Sequence, residues 1–278
     1  MKKYLVIGNP IEHSLSPLIH NYWMKKYHLV DSIYEKRKVE EKDLKNIIEE
    51  IRGEKIFGVN VTVPFKKLII PFLDKLDSTA EETQSVNTLF KSNDKIIGYN
   101  TDSSGFCDTI IKLYPVGNDT MIPLPLKDKN IFIIGAGGVT SSIICALKLQ
   151  GANNITLSNR TKEKANELRK LFPELKILDW GKRPVTCNIV INTTSIGLIK
   201  GEELKIDFSD YDKNFHKNLL FYDLIYNPKE TVFLKKARLR GNKTMNGKMM
   251  FLNQAKYAFN IWTNIVPEID NEVIKLLD

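Results

Sequence analysis

Short β-branched runs alternate with amphipathic stretches along the first hundred residues. The apolar run Tyr4 to Ile7 predicts a buried strand that stops at the turn residues Gly8 to Pro10. A second strand is predicted from Ile56 to Val63, and Pro64 ends it because proline cannot donate to a sheet ladder. Strands interrupted by amphipathic segments in this way indicate an α/β region.

Two helices are predicted in the same region. Ser16 followed by Pro17 is typical of a helix start, with the serine as N-cap and the proline in the first turn. Residues Val39 to Ile51 also have helical spacing, and their mixed charges favour a solvated helix. The apolar face predicted for the first helix consists of Leu18, Ile19, Tyr22 and Trp23.

A strong strand, helix, strand pattern follows the best linker candidate of the chain, the proline-containing segment 114–129. It consists of a strand at 131–134, a glycine-rich turn at 135–138, a helix over 139–149 and a strand at 155–157. Strands separated by helices of about this length indicate a parallel, doubly wound sheet. Further strands are predicted at 189–192 and 219–223, and further helices over 162–171 and 231–239.

This change of pattern predicts two domains within the 278 residues. Residues 1–101 and 245–278 form the first, an N-terminal α/β domain, and residues 102–244 form the doubly wound second. The helical stretch 247–265 follows the last predicted strand. We therefore expect C-terminal helices that pack back on the first domain.

Composition excludes several classes of protein. With 42% hydrophobic and 27% charged residues, the chain is neither disordered nor collagenous. Cys107, Cys145 and Cys187 lie far apart and lack metal-ligand spacing, so we expect no disulfide framework and no metal. The longest uncharged stretch, 131–147, is interrupted by glycine and hydroxyl residues and is short for a membrane span. We expect a cytoplasmic protein.

The net charge of +8 is local rather than general. Residues Thr231 to Pro267 contain seven Lys or Arg and no Asp or Glu, so the rest of the chain sums to only +8 − 7 = +1. Such an excess suggests an anionic partner: nucleic acid, an acidic membrane face or a phosphate-bearing small molecule. The predicted helix 231–239 is amphipathic, which favours a small anion over nucleic acid. Its inward face would consist of Val232, Phe233, Leu234 and Leu239.

The turn Gly135 to Gly138 predicts a nucleotide site. A glycine-rich turn between a buried strand and a helix lets the main chain approach a pyrophosphate, which the helix N-terminus stabilises with free N–H groups. The residues expected at this Rossmann-type site are Gly135, Ala136, Gly137, Gly138 and Val139. The alternative is a tight strand-to-helix turn that binds no ligand.

The end of the next strand distinguishes between cofactors. NAD sites typically place an acidic residue about 20 residues beyond the glycines, whereas NADP sites place basic groups there for the 2′-phosphate. Here the chain has Asn159, Arg160 and Thr161, followed by Lys162 and Lys164, and no acid. This pattern favours NADP(H) over NAD, although Arg160 alone is also compatible with a solvated charge at a helix start.

Polar clusters follow predicted strands of the first domain: Ser14 with Ser16, Asn60 to Lys66, Asn87-Thr88, and Asn100 to Asp102. Each has an ordinary structural explanation, such as a cap or a turn. Together, and in this order, they resemble the shikimate dehydrogenase family. The resemblance extends over nearly the whole chain through Gly135 to Gly138, Asn159 to Thr161, Asn192 to Ser195 with Gly197, Tyr222-Asp223, Tyr226, Gly247 and Gln254.

The resemblance implies reversible NADPH-dependent reduction of 3-dehydroshikimate to shikimate, in the chorismate branch of aromatic amino-acid biosynthesis. When hydride reaches a ketone carbon, charge builds on oxygen and a proton donor must neutralise it. Lys66 is the natural donor, and Asp102 would hold the substrate hydroxyl and orient Lys66. Which of the two is the formal proton carrier stays open.

The family pattern also assigns binding residues. Ser14, Ser16 and Tyr226 would face the substrate carboxylate, and Asn60, Thr62, Asn87, Asp102 and Gln254 its hydroxyls. For the cofactor, Thr193 would line the cleft, and Leu224 and Gly247 would contact the nicotinamide half. Three features depart from the pattern and put cofactor affinity and cleft geometry in doubt: Ser103-Ser104, Lys164 and Met249.

Two alternatives remain beside this expectation. An NAD-preferring quinate/shikimate dehydrogenase would carry an acid near the second strand end, and the basic residues at 160–164 argue against it. A non-catalytic NADP-binding relative would have no need of both Lys66 and Asp102. Neither a monomer nor a homodimer is favoured by the sequence.

Overall fold

The computed structural model describes residues 1–114, 124–199, 201–211 and 219–278. The predicted linker 114–129 therefore lies largely outside the described residues. The chain divides into two compact units, Met1–Phe106 with Leu252–Asp278, and Cys107–Phe251. Compared with the predicted domain boundaries, residues 102–106 group with the first unit and residues 245–251 with the second.

The first unit is built on a mixed six-stranded sheet in the order β2-β1-β3-β5-β6-β4. Strand β1 pairs in parallel with both β2 and β3, whereas β5 is antiparallel to β3 and β6. Only β1 and β3 of these strands were expected from the hydrophobic pattern. The strands are β1 Lys2–Gly8, β2 Ser32–Lys38, β3 Gly58–Val61, β4 Lys75–Leu76, β5 Thr88–Ser92 and β6 Lys95–Tyr99.

Helices of this unit carry apolar residues against the sheet. The helix over Leu44–Arg52 buries Leu44, Ile47, Ile48 and Ile51, so the solvated helix expected there is amphipathic instead. Its apolar residues repeat every three to four positions, which places them on one side. The helices wholly within this unit are α1 Ser16–Lys26, α2 Leu44–Arg52, α3 Ser78–Thr83 and α9 Asn271–Lys275. Helices α4 Thr101–Leu113 and α8 Lys248–Thr263 have residues in both units.

Helix α1 begins one residue earlier than the sequence indicates. Leu15 is the N-cap and makes no side-chain cap, while Ser16 is already helical, so the expected serine cap is wrong. The predicted apolar face is also shifted, because Leu18 is 49% exposed. The residues of α1 that are buried are Ser16, Ile19, His20, Trp23 and Met24.

The second unit is the expected doubly wound sheet. All its neighbouring strands pair in parallel, in the order β12-β11-β10-β7-β8-β9. The first strand of the unit lies at the centre and the order reverses beside it, which is the topology of dinucleotide-binding folds. The strands are β7 Asn130–Ile134, β8 Asn154–Ser158, β9 Lys176–Leu178, β10 Ile189–Asn192, β11 Leu220–Asp223 and β12 Lys243–Met245.

In the described part of this unit, the helices that follow strands of the sheet are α5 Thr140–Leu149, α6 Lys162–Leu171 and α7 Val232–Leu239. Thr231 caps α7 by accepting a hydrogen bond from the amide of Leu234. The inward face predicted for α7 is partly wrong, because Leu239 is 69% exposed and Ala237 is buried in its place. Phe233 and Leu234 pack in the core of the unit as expected.

Candidate active site

A buried ion pair forms the centre of the site in the first unit. Lys66 follows β3, and its carbonyl accepts a hydrogen bond from the amide of Val86. Asp102 is the second residue of α4. The Lys66 Nζ lies 2.5 Å from Asp102 Oδ2, and the two residues are only 9% and 6% exposed. The structure thus brings together the two residues assigned to proton transfer.

Asn87, directly before β5, joins the start of that strand to the start of α4. Its Oδ1 accepts hydrogen bonds from the amide of Thr101 at 2.8 Å and from the hydroxyl of Thr88 at 3.0 Å, and its Nδ2 donates to Thr101 Oγ1 at 2.9 Å. Because Thr101 precedes Asp102, this bond pattern orients the helix turn that carries the carboxylate. Asn87 therefore has a positioning role in addition to the binding role implied by the resemblance.

Asn60 makes three side-chain hydrogen bonds to neighbouring residues of the first unit. Its Nδ2 donates to the carbonyl of Asn87 at 3.1 Å and to Thr88 Oγ1 at 3.0 Å, and its Oδ1 accepts from the hydroxyl of Tyr34 at 2.7 Å. Tyr34 lies on β2 and is 1% exposed. Sequence reasoning missed Tyr34 because β2 has too few consecutive apolar residues to predict a strand.

The other substrate residues of the first unit lie on three elements. Ser14 donates to Ser16 Oγ at 3.3 Å, at the start of α1. Thr62 is half-buried directly after β3, and its amide donates to the carbonyl of Ile7. Gln254 lies on α8. A Cβ added to Gly105 would lie 2.7 Å from the main-chain nitrogen of Gln254, so the two helices are in close contact there. Gly105 is one helical turn beyond Asp102, so Gln254 lies beside the turn that carries the carboxylate.

Tyr226 differs from these residues because it belongs to the second unit. Its ring is stacked on Phe251, with the ring centroids 4.3 Å apart and the planes 15° apart. Tyr226 is half-buried, as a ring that packs on one side is expected to be.

The glycine turn of the second unit matches the requirements of a pyrophosphate site. Gly135 has φ +109°, and a Cβ there would lie 2.7 Å from Thr193 Oγ1. The Thr193 hydroxyl, which is buried, hydrogen-bonds to the carbonyls of Ile134 and Gly135 and to the hydroxyl of Thr140. Thr193 therefore holds the turn in place, while at Gly137 the nearest atom to a Cβ would be 3.8 Å away. The main chain stays open at that point, before the N-terminus of α5.

A second strand end lies beside the glycine turn. The Asn159 Oδ1 accepts a hydrogen bond from the amide of Ala136 at 3.0 Å, which joins the end of β8 to the turn. Arg160, Thr161 and Lys164 are exposed, and no side-chain partner is found for them among the described residues. Thr161 is the N-cap of α6 by position, but its hydroxyl does not cap the helix. The two cations and the hydroxyl are thus available to a phosphate.

Gly247 approaches the main chain of Leu224. A Cβ at Gly247 would lie 2.0 Å from the Leu224 carbonyl oxygen, so only glycine fits there. Asp223, which precedes Leu224, accepts hydrogen bonds from Thr231 at 2.6 Å and from Asn192 at 3.1 Å. Burial raises the pKa of Asp223 to about 6 in spite of these hydrogen bonds. Asp223 stabilises the loop that carries Leu224, and sequence reasoning gave it no role beyond the family pattern.

These features fit a dinucleotide with a 2′-phosphate: an open glycine turn at a helix N-terminus, and unpaired cations at the next strand end. Within the described ranges, no group of three or more His, Cys, Asp or Glu side chains is arranged to hold a metal ion. Nor does any described helix have the length and apolar character that crossing a membrane requires.

Comparison with known proteins finds shikimate dehydrogenase family models that match both halves of the chain. Residues 6–89 match the family model described as shikimate dehydrogenase substrate binding domain, and residues 120–228 match the model described as shikimate / quinate 5-dehydrogenase. A shikimate dehydrogenase (NADP(+)) of Pelagibacter ubique is 51% identical over 277 residues, with 100% of this chain and 99% of that protein covered.

Solved structures agree with the sequence matches. A crystal structure of shikimate dehydrogenase from Aquifex aeolicus superposes with a TM-score of 0.86 at 35% identity, covering 100% of this chain and 97% of that one. A Thermus thermophilus shikimate 5-dehydrogenase, crystallised with NADP(H) and shikimate, gives a TM-score of 0.83 at 27% identity, with coverage of 100% and 98%. The chain described here therefore belongs to the shikimate dehydrogenase family.

Proposed function

We propose that this protein catalyses the reversible NADPH-dependent reduction of 3-dehydroshikimate to shikimate. The observation that carries the proposal is the buried contact of 2.5 Å between Lys66 and Asp102 in a chain of this family. Taking two charges out of water carries a desolvation penalty that their mutual attraction often only offsets, so a buried ion pair adds little net stability. A pair held at that cost is the arrangement expected of proton-transfer groups rather than of a binding module.

Lys66 and Asp102 act together on the reacting oxygen. In the reductive direction, Lys66 Nζ donates a proton to the oxygen as the ketone becomes an alcohol, and in the oxidative direction the neutral amine accepts it. The Asp102 carboxylate accepts a hydrogen bond from the substrate hydroxyl and holds Nζ in place. Bound NADPH supplies the hydride.

The other substrate contacts are assigned to the polar residues that the family pattern names. We assign the substrate carboxylate to Ser14, Ser16 and Tyr226, and the ring hydroxyls to Asn60, Thr62, Asn87, Asp102 and Gln254. Among these residues, Thr62 has a hydroxyl that can bond the substrate without breaking another contact, because that hydroxyl has no hydrogen-bond partner within the described residues. Asn60 and Asn87 would contribute chiefly through the bonds that fix their neighbours.

For NADP(H), we assign the pyrophosphate to the turn Gly135 to Gly138 with Val139, and the 2′-phosphate to Arg160, Thr161 and Lys164. Asn159 holds the two loops together. Thr193, Leu224 and Gly247 complete the cofactor site. Residues 1–101 with 245–278 would carry most of the substrate contacts and residues 102–244 most of the cofactor contacts; Asp102, Tyr226 and Gly247 are the exceptions. A cytoplasmic location and a monomeric or homodimeric state belong to the same proposal, which requires neither nucleic acid nor a membrane.

The test is a kinetic assay that follows the absorbance of the reduced cofactor. Shikimate and quinate are each assayed with NADP⁺ and, separately, with NAD⁺. We expect the highest kcat/KM with shikimate and NADP⁺. Absence of turnover with shikimate and either cofactor would contradict the enzymatic function. A preference for NAD⁺ would instead contradict the assignment of Arg160, and a preference for quinate the assignment of the substrate.

A further inference from the structure

The carboxylate of Asp223 lies among the loops assigned to the nicotinamide half of the cofactor. Asp223 is the last residue of β11, and its partner in the parallel register is Asn192, the last residue of β10. The C-terminal ends of parallel strands form the ligand-binding edge of a doubly wound sheet, so both residues lie at that edge. Asp223 is fully buried, and its carboxylate can therefore act on the cofactor only through its protein neighbours.

One oxygen of the carboxylate holds the loop that follows β11. The amide of Ile225 donates to Asp223 Oδ1 at 3.0 Å, and the carbonyl of Ile225 accepts a hydrogen bond from the amide of Gly247 at 3.1 Å. Leu224 is the single residue between Asp223 and Ile225 in the chain. The bond from Ile225 to the carboxylate therefore fixes both residues assigned to the nicotinamide half, Leu224 and Gly247.

The same oxygen connects this loop to the neighbouring strand. Asn192 Nδ2 donates to Asp223 Oδ1 at 3.1 Å, and Asn192 Oδ1 accepts from the amide and the hydroxyl of Thr194 at 3.0 and 2.7 Å. Because a carboxylate only accepts hydrogen bonds, it determines which end of the Asn192 amide faces Asp223 and which end faces Thr194. One carboxylate oxygen thus joins the loops that follow β10 and β11.

The second oxygen holds the far end of the β11 loop. The hydroxyl of Thr231 donates to Asp223 Oδ2 at 2.6 Å and accepts from the amide of Leu234 at the start of α7. Three donors of the described residues therefore converge on one side chain, and all three are neutral groups. A carboxylate can accept all three hydrogen bonds, whereas an asparagine would have to turn its Nδ2 toward one of the donors. A buried charge is costly without a cation, so its presence here indicates that the acceptor capacity is needed.

We propose that Asp223 is a positioning residue for the nicotinamide half of NADP(H), because its carboxylate fixes Leu224 and Gly247 against the end of β10. The proposal rests on the proposed function and extends it to a residue that touches neither cofactor nor substrate. A preorganised loop loses less freedom on binding than a mobile one does. Arg160 and Lys164, assigned to the 2′-phosphate, follow β8, which lies on the other side of β7 in the sheet. The effect of Asp223 should therefore be confined to one half of the cofactor.

The test compares two ligands of the variant Asp223→Ala by calorimetry at pH 8. Burial raises the pKa of Asp223 to about 6, so the group is ionised in the wild-type protein at that pH. The ligands are NADP⁺ and adenosine 2′,5′-bisphosphate, which has the 2′-phosphate but lacks the nicotinamide. We expect the Kd of NADP⁺ to rise about tenfold and that of the bisphosphate to stay nearly unchanged. With saturating NADP⁺ and shikimate, kcat should also fall, because the nicotinamide is less well oriented for hydride transfer.

Asn242→Ala is the matched control. Asn242 is buried in the same unit, and its Nδ2 donates to the carbonyl of Tyr211 at 2.8 Å. It lies directly before β12, at the opposite edge of the same parallel sheet. The variant therefore also removes a buried side-chain hydrogen bond from this unit, but the Kd values of both ligands should stay near those of the wild type.

Asp223→Asn covers the case in which the alanine variant does not fold. An asparagine with its oxygen at the Oδ1 position keeps the bonds from Asn192 and Ile225, but its Nδ2 faces the hydroxyl of Thr231 and reverses that bond. The Kd of NADP⁺ should rise about threefold, again without a change for the bisphosphate.

Three results would overturn the proposal. They are equal weakening of both ligands in either Asp223 variant, wild-type affinity for both ligands in either variant, and selective weakening of NADP⁺ binding in Asn242→Ala. Equal weakening would mean that Asp223 only maintains the fold. A wild-type protein that binds neither NADP⁺ nor the bisphosphate would instead contradict the proposed function itself.

Discussion

The two units of the chain present their functional groups in opposite ways. In the first, Lys66 and Asp102 are buried and paired, and Asn60 and Asn87 are bonded within the protein. In the second, Arg160 and Lys164 are exposed, with no ion-pair partner in the described residues. The polar site of the first unit is closed on itself, whereas the cationic site of the second is open.

The difference follows from the ligands that we assign to the two units. A substrate that must be reduced at one carbon needs donors and acceptors fixed to within a fraction of an ångström, and internal hydrogen bonds supply that order. A phosphate brings two negative charges and several acceptor oxygens, so unpaired cations on a rigid turn are sufficient to bind it. The first unit should therefore be sensitive to small changes in its polar residues, and the second chiefly to loss of charge.

The largest effect is expected from Lys66→Ala. This variant removes the proposed proton donor and leaves Asp102 buried without its partner, so kcat should fall about 10²- to 10⁴-fold. Shikimate should still bind, because the serines and amides remain, and calorimetry can verify this. Lys67→Ala is the matched control, since Lys67 is the neighbouring lysine and is exposed. Equal losses in the two variants would remove Lys66 from the mechanism.

A smaller effect that is selective for the cofactor is expected from Arg160→Ala. Loss of a charge-assisted contact to the 2′-phosphate should raise the KM for NADP⁺ about 10- to 100-fold and leave that for NAD⁺ almost unchanged. Arg169→Ala is the control, because Arg169 is exposed on α6 and is bonded to Asn166. If the KM values for both cofactors rise equally, Arg160 does not bind the 2′-phosphate.

The same contrast explains which parts of the structure the sequence predicts. Helix α6 and strand β10 have the predicted bounds, because apolar residues at helical spacing and a continuous apolar run are local signals. Strand β2 and the role of Tyr34 were missed, because the strand has only one buried position, Tyr34, whose partner in the β1 register is Tyr4. The cap of α1 was misplaced by one residue because Ser16 is already the first helical residue, and its amide and hydroxyl are both bonded to the hydroxyl of Ser14.

Gly247→Ala tests whether the stability of the second unit depends on the close approach of two main-chain segments. The new Cβ would lie 2.0 Å from the carbonyl oxygen and 2.6 Å from the carbonyl carbon of Leu224, neither of which can move without displacing the loop. We expect the free energy of unfolding to fall by about 1–3 kcal/mol, measured with urea in the absence of cofactor. Gly137→Ala meets its nearest atom at 3.8 Å and should be close to neutral. Similar losses in both variants would show that the close approach at Leu224 has no special importance.

The smallest effect on stability is expected from a change in the C-terminal segment that packs in the first unit. The Asp270 carboxylate accepts hydrogen bonds from Tyr22 and Lys26 of α1, the helix that carries Ser16, and from the amide of Val273 in α9. Burial opposes ionisation, but these hydrogen bonds outweigh it and lower the pKa of Asp270 to about 2. Because the folded-state pKa is lowered, this carboxylate stabilises the fold above the unfolded pKa of about 4, and the contribution is lost as the pH falls toward 2.

Asp270→Asn keeps a residue that can cap α9 but removes the charge. At neutral pH it should reduce the free energy of unfolding by about 1 kcal/mol or less, because the pair with Lys26 lies near the surface. The difference from wild type, followed by urea denaturation, should narrow as the pH is lowered below about 4. Asp94→Asn, at a side chain that is 97% exposed, is the control and should differ little from wild type at any pH. A constant deficit for Asp270→Asn down to acid pH would mean that the charge of Asp270 does not stabilise α1.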